Sequence, residues 1–539
     1  MKLKQLRSIT NEEILLADLA GRVAERLPFP KNAQPFYSAK ARLVEAGNSV
    51  LKHIEDGNIL LRKEVIKEGD KFKTSNYVRI IGGKEKKKLL TRGFETLPGV
   101  VHQKNVRSYR LRPDDKKVLQ LLGTTLFHRS EFCTEELLKE IHALIEVDEN
   151  SKELEWKREA RYENYRKEIL GLGSFYLSAK YDGRIRMYYE GASLEGFRPH
   201  GKAYESLAFE VEERELNREG YNLVEALHIG GDAPLIKLRT AQKAKALETS
   251  STGMLVELDV TNSGLLIAGL SFHSEEMLKA TNGYGEAERA DSHTVFGNAY
   301  GLTRDEAKKI HTPLLHGASN KAIAKELEAL TGDTYTAGDV AEGNERAYGK
   351  AVHNINEIAK YGRAIMSNER SEVSWIMPDG LRATHRAYTV HVPLELELKG
   401  RKLKMMKTMP LLLDGKGMPV YDKTTPGAKK PKGKNKGTHT KIMGLYANII
   451  HSIDAYVMRK VIKTGIEILA KHDAFLVHPN DVEVVQRVLQ QAYAEVFDTQ
   501  PIQNILKQIE ETTSIKSPSM FEGNAVNKMY ESEMFLTVE

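Results

Sequence analysis

The stretch Met254-Leu255-Val256-Glu257-Leu258-Asp259-Val260-Thr261-Asn262-Ser263-Gly264 decides how this chain is read. It is a short apolar strand with a carboxylate, Asp259, at its edge. A second such strand, Leu469-Ala470-Lys471-His472-Asp473-Ala474-Phe475-Leu476-Val477, carries Asp473 more than two hundred residues later. Taken alone, an Asp at a strand end is usually a turn or cap residue. Two that converge would hold a pair of divalent ions about 3.5–4 Å apart, with hard magnesium taking carboxylate oxygen. Such a pair activates an attacking hydroxyl and stabilises a leaving pyrophosphate, so each stretch matches one half of a two-metal nucleotidyl-transfer site.

The 539 residues are 41% hydrophobic and 29% charged, the balance of a soluble chain of roughly three or four domain-sized units. A single cysteine, Cys133, excludes a disulfide framework and a cysteine-rich zinc module, and fits a reducing compartment. No apolar run approaches the roughly 20 residues that span a bilayer. The basic start, Met1 to Arg7, is followed at once by Glu12, Glu13 and Asp18, which argues against a transit peptide and makes a cytoplasmic location the expectation. Net charge is only +6, a weak argument for a polyanionic partner. Its distribution says more.

Residues 1–110 mix helical periodicity with the basic stretch Lys84-Glu85-Lys86-Lys87-Lys88, which reads as a solvated loop. Residues 135–168 are helical and highly charged, with Leu137, Leu138, Ile141, Leu144 and Ile145 on one stripe. Short apolar strands with intervening helices follow over 174–290, then a helix-rich segment over 303–330. From Lys423 to Lys441, prolines and glycines interrupt Lys429, Lys430, Lys432, Lys434 and Lys436, which predicts a cationic loop suited to phosphate contact.

Thr303-Arg304-Asp305-Glu306 is a capping box and predicts a helix start. A helix from there puts Arg304 and Lys308 one turn apart on one face, with His316 continuing roughly along it. Guanidinium, ammonium and then an aromatic ring suit a nucleoside triphosphate: Arg clamps terminal phosphates, Lys neutralises the transferred phosphorus, and the ring packs on sugar or base. Pro313 should kink or end the helix just before His316. No Walker motif competes, because every Gly-Lys pair lacks a following Ser or Thr.

The order of these pieces resembles the bacteriophage-type single-subunit RNA polymerases over roughly residues 174–539. Asp182-Gly183-Arg184-Ile185-Arg186-Met187-Tyr188 looks like the family's Asp-x-Arg-x-Arg-x-Tyr strand, with Lys202 beyond it. Asp259-x-Thr261-x-Ser263-Gly264 matches the first catalytic motif, and Arg304 with Lys308 the fingers-helix motif. Trp375-Ile376-Met377-Pro378-Asp379-Gly380 is similar to Trp-x-Thr-Pro-Asp-Gly, and His451-Ser452-Ile453-Asp454 to His-Ser-x-Asp. His472-Asp473 looks like the second catalytic motif, and Glu531-Ser532 with Phe535 like the C-terminal foot. The resemblance implies that Asp259 and Asp473, with Val260 beside the first, hold two magnesium ions. It implies that Arg304 and Lys308 bind the triphosphate, with Lys308 a candidate acid for pyrophosphate. His451 would face the minor groove of the nascent pair, Arg184 and Arg186 would lie near the hybrid, and His316 and His472 would belong to the substrate site.

Related DNA polymerases carry a Glu that crowds the ribose 2′ position five residues after the first catalytic Asp; here that position is Gly264, which cannot clash with a hydroxyl. Where the family has Tyr-Gly, this chain has His316-Gly317, and His293 stands where an aromatic shapes the nucleotide side. The expected fold is an α/β (α+β) right hand with palm, fingers and thumb plus a small N-terminal domain. Its segments are an N-terminal domain at 1–114, thumb-like helices at 115–172, palm at 173–290, fingers at 291–450 with the lysine-rich loop 423–441, and palm and foot at 451–539. The expected activity is DNA-directed RNA synthesis from ribonucleoside triphosphates, with DNA template and RNA product as partners, no membrane, and the cytoplasm of an infected bacterial host as the location. Only about 170 residues precede the Asp182 strand, so promoter recognition is expected to need single-stranded template or an accessory protein. The competing readings are a DNA polymerase or primase-like enzyme, and a non-catalytic nucleic-acid-binding subunit.

Overall fold

Val256–Val260 forms the strand that its sequence predicts, in a computed structural model that describes residues 14–26, 39–68, 71–80, 94–106, 109–143, 170–171, 173–189, 209–229, 233–285, 288–367, 372–386, 388–398, 401–410, 439–441, 444–471, 474–532 and 535–538. Helices and small antiparallel sheets alternate along the chain. The chain divides into two compact units. The basic stretch 84–88, Lys202, most of the lysine-rich loop, residues 144–169 of the expected thumb helices, His472 and Asp473 lie outside the described residues. No helix among the described residues is long and apolar enough to cross a membrane.

The first unit joins Met1–Leu89 to Arg363–Val373 and Arg386–Met443. It holds two long antiparallel hairpins, Ile59–Glu68 with Lys71–Ile80 and Tyr388–Leu398 with Arg401–Pro410. Helix Ala39–Glu55 meets the strand Tyr388–Leu398 at Gly47, where an added Cβ would come within 2.7 Å of Leu396. The strand Tyr388–Leu398 therefore packs with the N-terminal helix Ala39–Glu55.

The second unit comprises Leu90–Gly362, Ser374–His385 and Gly444–Glu539. In chain order its relevant elements are hairpin strands β1 (Ala179–Tyr181) and β2 (Met187–Tyr189), strand β3 (Val256–Val260), and helices α1 (Ser263–Phe272), α2 (Ser292–Tyr300), α3 (Arg304–Leu315) and α4 (Ala337–Tyr348). Next come the two-stranded β4 (Glu372–Ile376) and β5 (Arg382–Arg386), which belong to this unit over Ser374–His385, then helix α5 (Leu445–Ile462), strands β6 (Ile468–Lys471) and β7 (Ala474–Val477), helix α6 (Val482–Thr499) and strand β8 (Leu536–Val538).

The central sheet runs β6-β7-β3-β8 and is antiparallel throughout. Along β3, Val256, Leu258 and Val260 are buried while Asp259 is exposed. Beside β3, α1 is apolar on every side and nine of its ten residues are buried, as expected of a helix walled in by neighbours. Both α5 and α6 pack against it. The Leu536-Thr537-Val538 segment, within the expected 451–539 palm and foot, is the fourth strand of this sheet.

The Trp375-to-Gly380 segment works as a clamp. Trp375 is fully buried and donates from Nε1 to Ser452 Oγ on α5 at 3.0 Å. The turn at 377–381 closes with Gly380 at φ +79°, a left-handed conformation that suits glycine. It presents Asp379 to Arg459 of α5, which donates Nε–H to Oδ2 at 2.6 Å and Nη2–H to Oδ1 at 3.2 Å. Arg459 is 0% and Asp379 7% exposed, and Arg459 also donates to the Ile185 carbonyl in the β1–β2 turn. Removing one partner of a buried pair leaves an uncompensated charge and costs about 3–5 kcal/mol. Asp379→Ala should lower unfolding free energy by about that much, measured by urea denaturation; a loss under about 1 kcal/mol, as at a surface pair, would contradict the clamp.

Candidate active site

The strand carrying Asp259 lies between two partners. Asp259 pairs in Cα register with Ala474 on β7 and with Thr537 on β8. Ala474 is where the chain returns to the described residues after His472 and Asp473, so β7 begins beside the first carboxylate. The turn after β3 puts Asn262 in the left-handed region at φ 49°, where its Oδ1 caps α1 by accepting from Leu265 N and its Nδ2 donates to Ser292 Oγ of α2 at 3.0 Å. Gly264 follows in the first turn of α1. A Cβ there would meet only Ile450 at 3.7 Å and Asn262 Oδ1 at 4.0 Å, ordinary contact distances, so packing does not demand a glycine.

Helix α3 starts at the predicted capping box: Glu306 accepts from Thr303 N at 2.9 Å and from the Thr303 hydroxyl at 2.6 Å, and those bonds hold its pKa below the usual carboxylate value. Ala307, Ile310, His311 and Leu314 form the buried stripe; Arg304 and Lys308 are exposed. Arg304 is fixed by Asp291, which accepts from its Nε at 3.0 Å and also caps α2 through Thr294 N at 2.8 Å. Burial pushes the Asp291 pKa up, but the Thr294 amide and Arg304 outweigh this and leave it lowered. The helix continues through Pro313 and ends at Leu315, with His316 as its C-cap. Sequence places the proline stop where the structure has it.

Four of the expected substrate residues come together. The His316 and His451 rings meet edge to face at 5.9 Å. Arg184 donates from Nη1 to His451 Nδ1 at 3.0 Å, from Nη2 to Tyr188 Oη at 2.8 Å and from Nε to Asp182 Oδ2 at 2.7 Å. Since a guanidinium only donates, His451 Nδ1 accepts, and neutral His451 carries its proton on Nε2. Asp182 Oδ1 accepts the backbone N–H of Arg184 and of Arg186, an Asx turn that sets Ile185 at φ 59° and aims the two arginines. Arg186 pairs with Asp454 at 2.7 Å, the two being 14% and 3% exposed. Partial burial, then the Arg186 charge, lowers the His316 pKa.

Sequence reasoning missed the group behind α3. His311 is fully buried, stacked on Phe296 at 4.9 Å and on Tyr348 at 5.3 Å, and touches His293. A histidine at a core position of an amphipathic helix was its only signal. It also missed Arg289, which donates to Thr261 at 3.2 Å and to Thr537.

For metal binding, Asp259 and the backbone of Val260 offer hard oxygen of the kind magnesium takes. No cluster of three or more His, Cys, Asp or Glu side chains occurs among the described residues, and Asp473 lies outside them. The donors described therefore fit magnesium in kind and supply part of a set.

The sequence model of a family described as DNA-dependent RNA polymerase matches residues 294–534, a little under half of the chain. The matched region takes in α3, His316, the clamp and α5, and indicates a nucleotidyltransferase of polymerase type. Arg184, Arg186 and Asp259 precede it. No curated protein matches the chain. Among solved structures, the POL domain of Pol1 from M. smegmatis, in complex with DNA primer-template and dNTP, is similar at 9% identity and a TM-score of 0.31. That similarity covers 63% of this chain and 48% of the other, and is too slight to bear on fold or function.

Two outcomes follow from the geometry. Burial, then neighbouring His293, pushes the His311 pKa from 6.5 down to about 3, and burial pushes His385 down to about 4. In that window the unfolded chain binds protons the folded chain refuses, so this stability is complete above about pH 6.5 and lost as pH falls. Denaturation midpoints at pH 7.5 and 5 should therefore diverge, and less so in His311→Phe; an equal divergence would exclude His311 as a source. Gly264→Ala should leave stability unchanged or raise it by up to about 1 kcal/mol, the helix-propensity difference, in a thermal melt at pH 7.5.

Proposed function

We propose that the chain is a DNA-directed RNA polymerase of the compact, bacteriophage-type single-subunit class, extending RNA on a DNA template from ribonucleoside triphosphates. The observation that supports this most is the pairing of Asp259 with Ala474, the residue directly after Asp473. The first motif carboxylate therefore lies beside the start of the strand that follows the second motif in sequence. The matched family supports RNA polymerase activity in general. Two-metal chemistry, the substrate and the division of labour below are this reading's own.

Asp259, the Val260 backbone and Asp473 would hold two magnesium ions, which when bound supply charge neutralisation for the attacking hydroxyl and the leaving pyrophosphate. Arg304, held by Asp291, would clamp terminal phosphates, while Lys308 one turn on would neutralise the transferred phosphoryl group and give a proton to pyrophosphate. His316 and His451 would pack on sugar and base, with His472 beside Asp473. Arg184 and Arg186, aimed by Asp182, would face the hybrid. Gly264 would leave room for a ribose 2′-hydroxyl. In-line attack of the RNA 3′-hydroxyl on the α-phosphorus is then accelerated mainly by positioning and electrostatics.

The palm would comprise 173–290 and 451–539, the fingers 291–450, the thumb-like helices 115–172 and the N-terminal domain 1–114. Promoter melting would fall to an accessory protein or a single-stranded template, in the cytoplasm of an infected bacterial host.

The test is extension of an RNA primer on a DNA template with magnesium, ribonucleotides against deoxyribonucleotides. Asp259→Asn and Asp473→Asn should each lose on the order of 10³-fold or more, and Lys308→Ala about 10²–10³-fold. Gly264→Glu should cut the preference for ribonucleotides by at least about 10-fold, roughly 1.4 kcal/mol. Unchanged extension by Asp473→Asn would overturn the two-metal assignment.

A further inference from the structure

Behind the Arg304–Lys308 face, a chain of hydrogen bonds links helices α2, α3 and α4. Tyr348 Oη lies 2.7 Å from the Ser292 carbonyl oxygen and 2.8 Å from His311 Nε2; His311 Nδ1 lies 3.0 Å from His293 Nδ1. Three contacts need three protons, and only one arrangement supplies them with both rings neutral. The carbonyl can only accept, so the Tyr348 hydroxyl donates to it. The Tyr348 oxygen then accepts from His311 Nε2–H. Neutral His311 is left with a lone pair on Nδ1, so His293 Nδ1–H must donate to it. Neutral His293 is left with a lone pair on Nε2, which has no hydrogen-bond partner among the described residues.

The rings cannot readily turn to undo this. His311 is sandwiched between Phe296 and Tyr348, at interplanar angles of 17° and 20°, and meets His293 edge-on at 86°. Rotating His293 by half a turn would replace Nδ1 with carbon and break the chain. Burial, together with Arg304 and Lys308, lowers the His293 pKa against the opposing pull of Asp291, so the ring stays neutral near pH 7. The charged and titratable groups facing it are Asp291 on its own helix, Arg304, Lys308 and His311 on α3, and, through His311, Tyr348 on α4.

His293 also sits between the two halves of the candidate site. Its neighbour Ser292 accepts from Asn262 in the turn after Asp259, and Asp291 holds Arg304. A half-buried acceptor beside two phosphate-binding cations cannot be meant for phosphate, which at neutral pH also only accepts. Its complement is a donor. On a nucleoside triphosphate the donors common to all four substrates are the sugar hydroxyls, since the base amino groups differ from one to the next.

Building on the polymerase reading, we propose that His293 Nε2 is a tautomer-locked acceptor for a sugar hydroxyl of the incoming nucleotide, with His311 and Tyr348 as the positioning residues that enforce the lock. Nitrogen-15 spectra of histidine-labelled protein at pH 7.5 test the lock directly. They should show His293 protonated on Nδ1 and His311 on Nε2, and Tyr348→Phe should mix the His311 tautomers.

Steady-state extension tests the ligand. His293→Phe should raise KM for ribonucleoside triphosphates about 10-fold, with the loss falling on KM more than kcat, and should leave KM unchanged for whichever of the 2′-deoxy or 3′-deoxy triphosphates lacks the bonded hydroxyl. His293→Gln, whose Oε1 can accept near the Nε2 position, should recover part of the loss. A proton on His293 Nε2, or unaltered hydroxyl preference in His293→Phe, overturns the inference while leaving the polymerase reading intact. If the wild-type protein extends no primer with any triphosphate, the polymerase reading fails and the nucleotide role of His293 falls with it.

Discussion

The buried pair between Arg459 and Asp379 is the interaction on which the rest of the candidate site depends. Arg459 is wholly shielded from water, so its charge must be matched in place, and the Asp379 carboxylate and the Ile185 carbonyl together do this. One guanidinium thereby joins three pieces: α5, which carries His451; the 377–381 turn; and the β1–β2 turn, which carries Arg184 and Arg186. Thr384 N adds a bond to the Gly183 carbonyl at 2.8 Å, and Tyr189 Oη accepts from Ala470 N on β6 at 3.2 Å. The two arginines are aimed by a turn that is itself held by a third.

The other half of the site is built from helix caps. Asn262 ends β3, caps α1 and reaches α2; Asp291 caps α2 and reaches α3; Glu306 and Thr303 cap α3. Each cap satisfies backbone amides that would otherwise lack partners, and its remaining atoms hold the next element. Capping bonds are worth about 1 kcal/mol each, far less than breaking the buried pair. The arginine–histidine half is anchored by a buried ion pair, and the Arg304–Lys308 half by caps at helix ends.

Much of this was legible in the sequence wherever the signal is local. The capping box at Thr303, the Arg304–Lys308 face, the short apolar strand β3 and the end of α3 near Pro313 each depend on residues within a turn or two of one another. The Trp375-to-Gly380 motif was legible as a pattern but not as a clamp, because its partner Arg459 lies 80 residues away. The three-residue strand Leu536–Val538 has too short a pattern to read, and it exists only because β3 offers it an edge. His311 reads as one more residue on an amphipathic helix until α2 and α4 close over it.

Sequence by itself determined which chemical groups this chain owns and which local elements carry them: carboxylates on strand edges, a cationic helix face, two arginines just after Asp182. Backbone periodicity and capping are short-range effects, so a linear reading captures them. Only the tertiary structure decided which groups meet: Asp259 beside the start of β7, His316 against His451, helix Ala39–Glu55 against strand Tyr388–Leu398, and the proton arrangement of His293, His311 and Tyr348. Those outcomes depend on burial, where a charge or a polar ring must find its partner from whatever distant segment the fold brings alongside.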